Sequence, residues 1–251
     1  NGKIHDSKIF KKIFIQPASG DSGLALGGLY LGIQDKLNSK FNLVKKYNNY
    51  LGSEFTNKEI VNVLKSTKVK YKKFLNIYKP TSKLIKEGKI IAWFQGSSEF
   101  GPRALGNRSI LCKPYPSSMK DYLNKRVKFR EYFRPFAPAV LEEKYKKYFD
   151  LRQESPHMLI ACKAKKDRIK EIPAVVHVDN SCRVQTVSKE TNFRFYNLIK
   201  EFYNITKIPV LLNTSFNVKG QPMVNTPLQA INTFKSTNID ILVIGDYIVT
   251  K

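Results

Sequence analysis

A chain of 251 residues with 42% hydrophobic and 12% aromatic content can bury a core, which excludes intrinsic disorder and predicts one large or two unequal folded units. The net charge of +24 is typical of proteins that bind polyanions. Much of the excess lysine lies at residues 45–89, however, and no recognition-helix, zinc-finger or RNP pattern is present, so we disfavour nucleic acid as a partner. The chain has no 18-residue apolar run, no signal peptide, and three cysteines without ligand spacing, which predict a cytoplasmic protein with free thiols and no membrane partner.

The first 80 residues combine a short strand-and-helix pattern with a long polar segment. KIFIQ at residues 12–16 predicts a strand, PASGDSG predicts a loop, and LALGGLYLG at 24–32 predicts a helix. Residues 34–80 are polar and lysine-rich, and we predict that they are mostly helical. Within them, Thr56 and Glu59 have the spacing of a capping box ahead of the apolar positions of a helix.

From residue 81 onward, helical patterns alternate with buried strands. The predicted elements are a helix at 82–87 ended by Gly88, a strand over KIIAWF at 89–94, a helix at 192–203, a strand at 210–213, a helix from Thr226 to Phe234, and two strands on either side of Gly245 and Asp246. Strands that alternate with helices indicate an α/β domain built on a twisted sheet.

Two segments of this region place basic side chains among glycines, prolines and short apolar runs. They are AWFQGSSEFGPRALGNRSIL at 92–111 and KFREYFRPFAPAV at 128–140, and they contain Arg103, Arg108, Lys128, Arg130 and Arg134. Because these arginines follow Gly-Pro or precede Pro-Phe, we expect them on turns that leave strands rather than on a solvated helix face. A guanidinium group matches phosphate or carboxylate oxygens two at a time. The pattern therefore predicts a pocket for phosphorylated, anionic substrates.

These segments, together with GDSGLALGGLYLG, HVDNSCRVQTV and LLNTSFNVKGQPMVNTP, resemble the NodU/CmcH-type O-carbamoyltransferases, in the order of that family. The resemblance implies that residues 1–36 are the C-terminal end of an actin/Hsp70-like ATPase domain and that 37–80 are a lysine-rich helical connector. It implies that 81–251 form a YrdC-like α/β domain, with a twisted mixed sheet flanked by helices. Only the second half of the family's sequence is covered, so we expect a missing N-terminal half, or a protein that supplies it, as a partner.

The resemblance also implies a two-step reaction. The YrdC-like domain would use ATP and carbamoyl phosphate to form carbamoyl-adenylate, with release of phosphate and pyrophosphate. The first domain, which in this family holds a divalent metal ion (iron or magnesium), would then move the carbamoyl group onto a hydroxyl of a sugar, antibiotic or polyketide. The implied enzyme is a carbamoyltransferase, and we expect the present chain alone to complete no more than the first step.

Five basic residues match positions of the family's phosphate site. Arg103 in GPRALG resembles the arginine that binds carbamoyl phosphate. Lys128 and Arg130 resemble the K-x-R pair of YrdC proteins, and Arg134 in RPF adds a further guanidinium group. Arg183 resembles a further phosphate-contacting arginine, although this chain has HVDNSCR where the family commonly has HVDGTAR. The resemblance implies that all five bind nucleotide or carbamoyl phosphate, and that Lys128 and Arg134 are also catalytic.

Three further residues match functional positions of the family. Ser215 and Asn217 reproduce the S-x-N of YrdC-like sites, where a hydroxyl and an amide contact nucleotide phosphates, and Ser215 is a candidate catalytic residue. Asp21 matches an aspartate that in this family binds the metal together with histidines of the N-terminal domain. The alternative role for Asp21 is that of a helix N-cap. Arg108, beside the site arginine, is a residue for which a structural role is expected.

Two functions from other classes remain open. One is a threonylcarbamoyl-adenylate synthase that acts in tRNA modification and has the same YrdC-like fold. The motifs GPRALGNRS and LNTSFNVKGQP, which resemble the carbamoyltransferases, argue against this function. The other is a non-catalytic nucleic-acid-binding module, which only the charge favours.

Among the single residues, Arg130 could be structural through an ion pair with Glu131. The histidines at 5, 157 and 177 lack the spacing of zinc ligands.

Overall fold

A computed structural model describes residues 1–37, 48–129, 131 and 133–251 of the chain. Its strands are β1 Lys70–Lys73, β2 Ile91–Phe94, β3 Arg108–Cys112, β4 Ala137–Leu141, β5 Ala161–Lys163, β6 Ser181–Arg183, β7 Gln185–Val187, β8 Val210–Ser215, β9 Ile241–Ile244 and β10 Tyr247–Thr250. Eight of them form one mixed sheet in the order β1-β10-β9-β2-β3-β8-β4-β7. In this sheet β2 is parallel to β9 and β4 is parallel to β7, while β5 and β6 form a separate antiparallel pair.

Side-chain caps at Thr56, Asn192 and Thr226 begin three of the described α-helices. The described α-helices are α1 Gly2–Ser7, α2 Leu24–Leu37, α3 Asn57–Ser66, α4 Tyr78–Lys86, α5 Met119–Leu123, α6 Tyr145–Tyr148, α7 Phe193–Thr206 and α8 Pro227–Ser236. Complete capping boxes at Thr56 and Thr226 confirm the predicted starts of α3 and α8. The predicted apolar face of α7 is also confirmed, since four of its side chains are fully buried: Phe195, Leu198, Ile199 and Phe202.

The large sheet lies between two layers of helices because its central strands are apolar on both faces. In β2, Ile91 and Trp93 pack with α4 and α7, whereas Ala92 and Phe94 pack on the opposite face with α3 and α8. Burial on both faces explains the continuous apolar run KIIAWF. The fold is therefore a mixed α/β architecture with a large sheet flanked by helices, as expected from the alternation of strands and helices.

The N-terminal segment differs from the prediction at residues 12–16, which do not form a strand. Ile13 instead donates its backbone N–H to Gln153 Oε1 (2.8 Å), and its carbonyl accepts from Gln153 Nε2 (2.7 Å). Apolar residues alone do not make β-structure, because the backbone groups of a strand need a neighbouring strand as partner. The predicted helix that follows is present as α2. The implied actin-like origin of residues 1–36 stays a prediction.

Helix α2 exposes large apolar side chains, among them Leu24, Leu29 and Leu31. Large apolar side chains exposed along one helix favour association. In the described part of the chain, no helix is both long enough and apolar enough to cross a membrane.

The lysine-rich segment is only partly helical. Residues 38–47 lie outside the described residues, so the helix expected there is not tested. KYKK at 70–73 forms the strand β1, antiparallel to β10, and the prediction of a helix at this point was wrong. Its side chains are exposed or half-buried, as suits an edge strand, and lysines at a sheet edge discourage pairing with other chains. The predicted free thiols are present and buried: Cys112, Cys162 and Cys182.

Candidate functional site

Lys128 is buried where a helix ends beside strand β8. It is the last residue of the π-helical turn Asn124–Lys128, and Phe129 leaves the helix with a φ of 46°. Only 4% of Lys128 is exposed, and its Nζ donates to the carbonyl oxygens of Ser215 (2.5 Å) and Asn217 (2.9 Å). The same Nζ lies 3.3 Å from Ser215 Oγ and 2.8 Å from Asn217 Oδ1. The structure thus brings three predicted site residues together, and we call Lys128, Ser215 and Asn217 the lysine cluster.

The two side chains of the S-x-N turn are held in place by hydrogen bonds of their own. Ser215 Oγ donates to Asn217 Oδ1 (2.7 Å), and Asn217 Nδ2 donates to the carbonyl of Gln221 (2.7 Å). A buried ammonium group that is already positioned stabilises a nearby anionic oxygen more strongly than it would in water, because little solvent screens the charge. The three N–H groups of the ammonium are directed at four protein oxygens, so an anion that binds here replaces at least one of these contacts.

The loop that carries Arg103 is closed by a buried carboxylate that no sequence motif singled out. Glu99 Oε1 accepts hydrogen bonds from the backbone N–H groups of Leu105 (2.7 Å), Asn107 (2.8 Å) and Arg108 (3.2 Å). Glu99 is 7% exposed, so these charge-assisted bonds are shielded from water. A signal for it exists in the sequence, because a glutamate just before the glycine-rich turn FGPRALG is a natural acceptor for the N–H groups of that turn.

Gly106 fixes the close approach of this loop to helix α7. Its φ is 104°, and a Cβ at this position would lie 2.1 Å from the ring of Phe195. The Gly106 carbonyl accepts from Trp93 Nε1 (2.9 Å). A residue with a side chain would therefore be excluded both by its backbone conformation and by the packing of the loop on α7.

Hydrogen bonds join the Arg103 loop to the strand that carries the lysine cluster. The carbonyl of Ala104 accepts from Asn213 Nδ2 (3.2 Å), which also donates to Gln185 Oε1 (2.9 Å). Asn213 lies two residues before Ser215 on β8, so the loop is anchored beside the lysine cluster. Arg103 itself is half-buried, and its Nε is buried with no hydrogen-bond partner among the described residues. The loop thus positions an arginine that can still take up an anion.

Residues 49–54, which precede the predicted domain, lie along the Arg103 loop. The backbone of Asn49 accepts from the N–H of Phe100 (2.8 Å). Tyr50 Oη donates to the carbonyl of Leu105 (2.9 Å) and accepts from Asn192 Nδ2 (2.9 Å). Burial raises the pKa of Tyr50 above its usual range, so its hydroxyl remains a donor. No motif pointed to this segment, which nevertheless helps to hold the loop.

Arg108 serves the fold, as expected. It is fully buried and donates from Nη1 to the carbonyl of Gln95 (2.7 Å) and from Nη2 to that of Ser53 (2.9 Å). Its guanidinium lies 3.7 Å from the centre of the Phe94 ring. Burial lowers the pKa of Arg108 to about 10, which leaves it charged at neutral pH. With both terminal nitrogens directed at backbone carbonyls, Arg108 holds neighbouring segments together.

The remaining candidate residues differ in exposure and in their contacts. Arg134 is exposed and its Nε pairs with Glu131 Oε2 (2.9 Å), while Arg130 lies outside the described residues, so its predicted pairing with Glu131 is not tested. Arg183 is half-buried at the end of β6. Asp21 is exposed in the short turn before α2 and makes no capping hydrogen bond. Within the described ranges no group of three His, Cys, Asp or Glu side chains could hold a metal, so Asp21 alone does not fit the implied metal ion.

His157 is buried enough to resist protonation. Burial lowers the pKa of its imidazole to about 4, whereas the unfolded chain has a histidine pKa of about 6.5. As the pH falls from about 6.5 to 4, the unfolded state therefore takes up a proton that the folded state refuses, and the fold loses stability.

We expect His157→Gln, which stays neutral, to show a smaller fall in melting temperature than the wild type between pH 6.5 and 4. The difference should be roughly 2–5 °C. Thermal denaturation followed by circular dichroism at a series of pH values measures it. Parallel pH profiles for the two proteins would show that His157 does not titrate in this way.

Residues 82–251 match the family model described as Carbamoyltransferase C-terminus. The chain is 39% identical to the uncharacterized protein sll1178 of Synechocystis sp., with 100% of this chain and 45% of that protein covered. It is 38% identical to nodulation protein NolNO of Sinorhizobium fredii (100% and 38% covered) and 33% identical to 3'-hydroxymethylcephem-O-carbamoyltransferase of Streptomyces clavuligerus (94% and 43% covered). The chain thus spans less than half the length of these relatives.

Among solved structures, full-length HypF in the phosphate- and nucleotide-bound form matches with a TM-score of 0.48 and 20% identity, over 70% of this chain and 22% of HypF. A similarity at this level does not establish a shared fold.

Proposed function

Since this chain belongs to the carbamoyltransferase family, we propose that its α/β part binds ATP and carbamoyl phosphate and forms carbamoyl-adenylate. We further propose that another part of a longer protein, or a second protein, transfers the carbamoyl group to a hydroxyl. A relative whose name specifies O-carbamoylation of a hydroxymethyl group supports an alcohol of sugar, antibiotic or polyketide type as the acceptor.

The observation that carries this proposal is the lysine cluster. Its residues come from a helix end and a strand end that are 87 to 89 residues apart. The one ammonium group contacts two backbone carbonyl oxygens and two side-chain oxygens there. Burying a lysine is costly, and its position beside the hydroxyl and amide of the S-x-N turn favours a phosphate-binding role. An anionic phosphate group would bind the ammonium in exchange for one of its protein oxygens.

In the proposed reaction the protein mainly offsets charge and aligns the reactants. Overall, ATP, carbamoyl phosphate and one water give carbamoyl-adenylate, pyrophosphate and phosphate. Water first cleaves carbamoyl phosphate into carbamate and phosphate. A carbamate oxygen then attacks the α-phosphorus of ATP, and the bond from that phosphorus to the bridging oxygen of the leaving pyrophosphate breaks. Lys128 and the hydroxyl of Ser215 contact nucleotide phosphate oxygens, and Arg103 holds carbamoyl phosphate. These cations reduce the repulsion between two polyanions and hold the reacting atoms in line.

The proposal is tested by pyrophosphate release from the 251-residue chain. We expect release that requires ATP and carbamoyl phosphate together. Release that instead requires bicarbonate and threonine would establish the threonylcarbamoyl-adenylate alternative. Salt-sensitive RNA binding without any nucleotide turnover would establish the nucleic-acid-binding alternative.

A variant at Arg103 tests the pocket itself. Arg103→Lys keeps the charge but loses the two-point contact with phosphoryl oxygens, so the apparent affinity for carbamoyl phosphate should fall about 10- to 100-fold. The melting temperature should change little, since the described contacts of the loop are made by other residues. Lys113→Ala, at a partly exposed lysine whose Nζ lies 3.4 Å from the carbonyl of Lys86, is the control. An equal loss in both variants would remove the case for a specific pocket.

A further inference from the structure

A small cavity of about 10 Å³ lies against the Arg103 loop. Its walls are neutral and rich in hydrogen-bonding groups; they include Asn49, Tyr50, Leu105, His157, Gln185 and Asn192. No lysine, arginine, aspartate or glutamate is among the described residues that line it. A cavity of this size accepts one group as large as a water molecule and excludes an aromatic ring such as adenine.

Asn49 leaves an acceptor unfilled in the wall of this cavity. The residue is 4% exposed, and its Nδ2 donates to the carbonyl of Phe100. Its Oδ1 is buried and has no hydrogen-bond partner in the part of the chain that the structure describes. A buried carbonyl oxygen without a donor is destabilising, so the cavity favours a ligand group that brings an N–H or O–H.

The neutrality of the cavity selects an uncharged donor. His157 is the one lining residue that could acquire charge near physiological pH, and burial keeps its pKa at about 4. An ammonium group would enter without a carboxylate to pair with it, which is costly. A neutral amide –NH₂ meets no such cost.

The cavity adjoins both parts of the proposed phosphate site. Leu105, in its wall, lies two residues after Arg103. Gln185, also in its wall, accepts from Asn213, which lies two residues before Ser215 on β8. The cavity therefore lies beside the loop that carries Arg103 and is linked through Gln185 to the strand that ends at Ser215.

We propose that this cavity receives the –NH₂ of carbamoyl phosphate, with Asn49 Oδ1 accepting one of its hydrogens, and that it thereby selects carbamoyl phosphate over other acyl phosphates. This inference rests on the proposed function. Acetyl phosphate is the decisive comparison, since its methyl group has nearly the size of –NH₂ but offers no N–H. A site built to hydrogen-bond a substrate N–H rejects the analogue that lacks it.

The test is calorimetric titration of the 251-residue chain with carbamoyl phosphate and with acetyl phosphate. We expect the wild type to bind carbamoyl phosphate at least about tenfold more tightly. Asn49→Ala should bring the ratio of the two dissociation constants close to one, while Asn62→Ala, at an exposed position of α3, should leave it unchanged. Equal affinity of the wild type for both ligands would overturn the inference but not the proposed function, even if Asn49→Ala does not fold. Failure of the wild type to bind either ligand would overturn both.

Discussion

Replacing Lys128 with methionine is expected to lower carbamoyl phosphate-dependent pyrophosphate release by about 100- to 1,000-fold. The methionine keeps an apolar stem of similar length but removes the ammonium group that contacts Ser215 and Asn217. Loss of one positioned donor from a site that stabilises a charged transition state typically has an effect of this size. The rate of pyrophosphate release at saturating ATP and carbamoyl phosphate is the measurement.

The same substitution should destabilise the fold only moderately. The oxygens around Nζ lose a buried donor, which costs about 1–3 kcal/mol, so activity must be measured at a temperature at which the variant is fully folded. Lys125→Met, at an exposed position of the same π-helical turn, is the matched control and should keep wild-type activity. If Lys128→Met released pyrophosphate within threefold of the wild-type rate, the lysine cluster would be a structural feature and the proposed site would be elsewhere.

Elements with strong local signals could be predicted from the sequence. The capping boxes at Thr56 and Thr226 and the apolar face of α7 fix their helices through residues three or four positions apart, so no distant partner is needed. The strand expected at residues 12–16 failed because a strand depends on a neighbour, and this segment finds the Gln153 side chain instead. Strand β1 was missed for the opposite reason: its polar sequence becomes β-structure only because β10 lies beside it.

The candidate site depends on contacts that spacing does not reveal. Lys128 and Ser215 are 87 residues apart, and only the resemblance to a family placed them in one site before the structure was known. Glu99, Asn213 and Tyr50 act by holding the backbone of the Arg103 loop, and such roles require knowledge of which carbonyl or N–H lies nearby. The basic residues of a pocket have a sequence signature, whereas the residues that support it have almost none.

Replacing Glu99 with glutamine is expected to have the largest structural effect of any single polar substitution in the Arg103 loop. The carboxylate accepts three backbone N–H groups, and its charge favours the charged state of the fully buried Arg108. A glutamine retains a weaker acceptor but leaves Arg108 without this stabilising charge. Weakening the acceptor of buried hydrogen bonds typically costs about 1–3 kcal/mol, and this should appear as a lowered midpoint of urea denaturation.

Binding separates the role of Glu99 in the loop from its general contribution to stability. Because Arg103 lies between Glu99 and the N–H groups that Glu99 holds, a loosened loop should weaken carbamoyl phosphate binding more than ATP binding, under conditions in which the variant remains folded. Glu87→Gln, at an exposed position after α4, is the control and should alter neither stability nor affinity. Equal weakening of both ligands would indicate a general loss of structure. Unchanged stability would show that the three N–H bonds, rather than the charge of Glu99, maintain the loop, since a glutamine oxygen can still accept them.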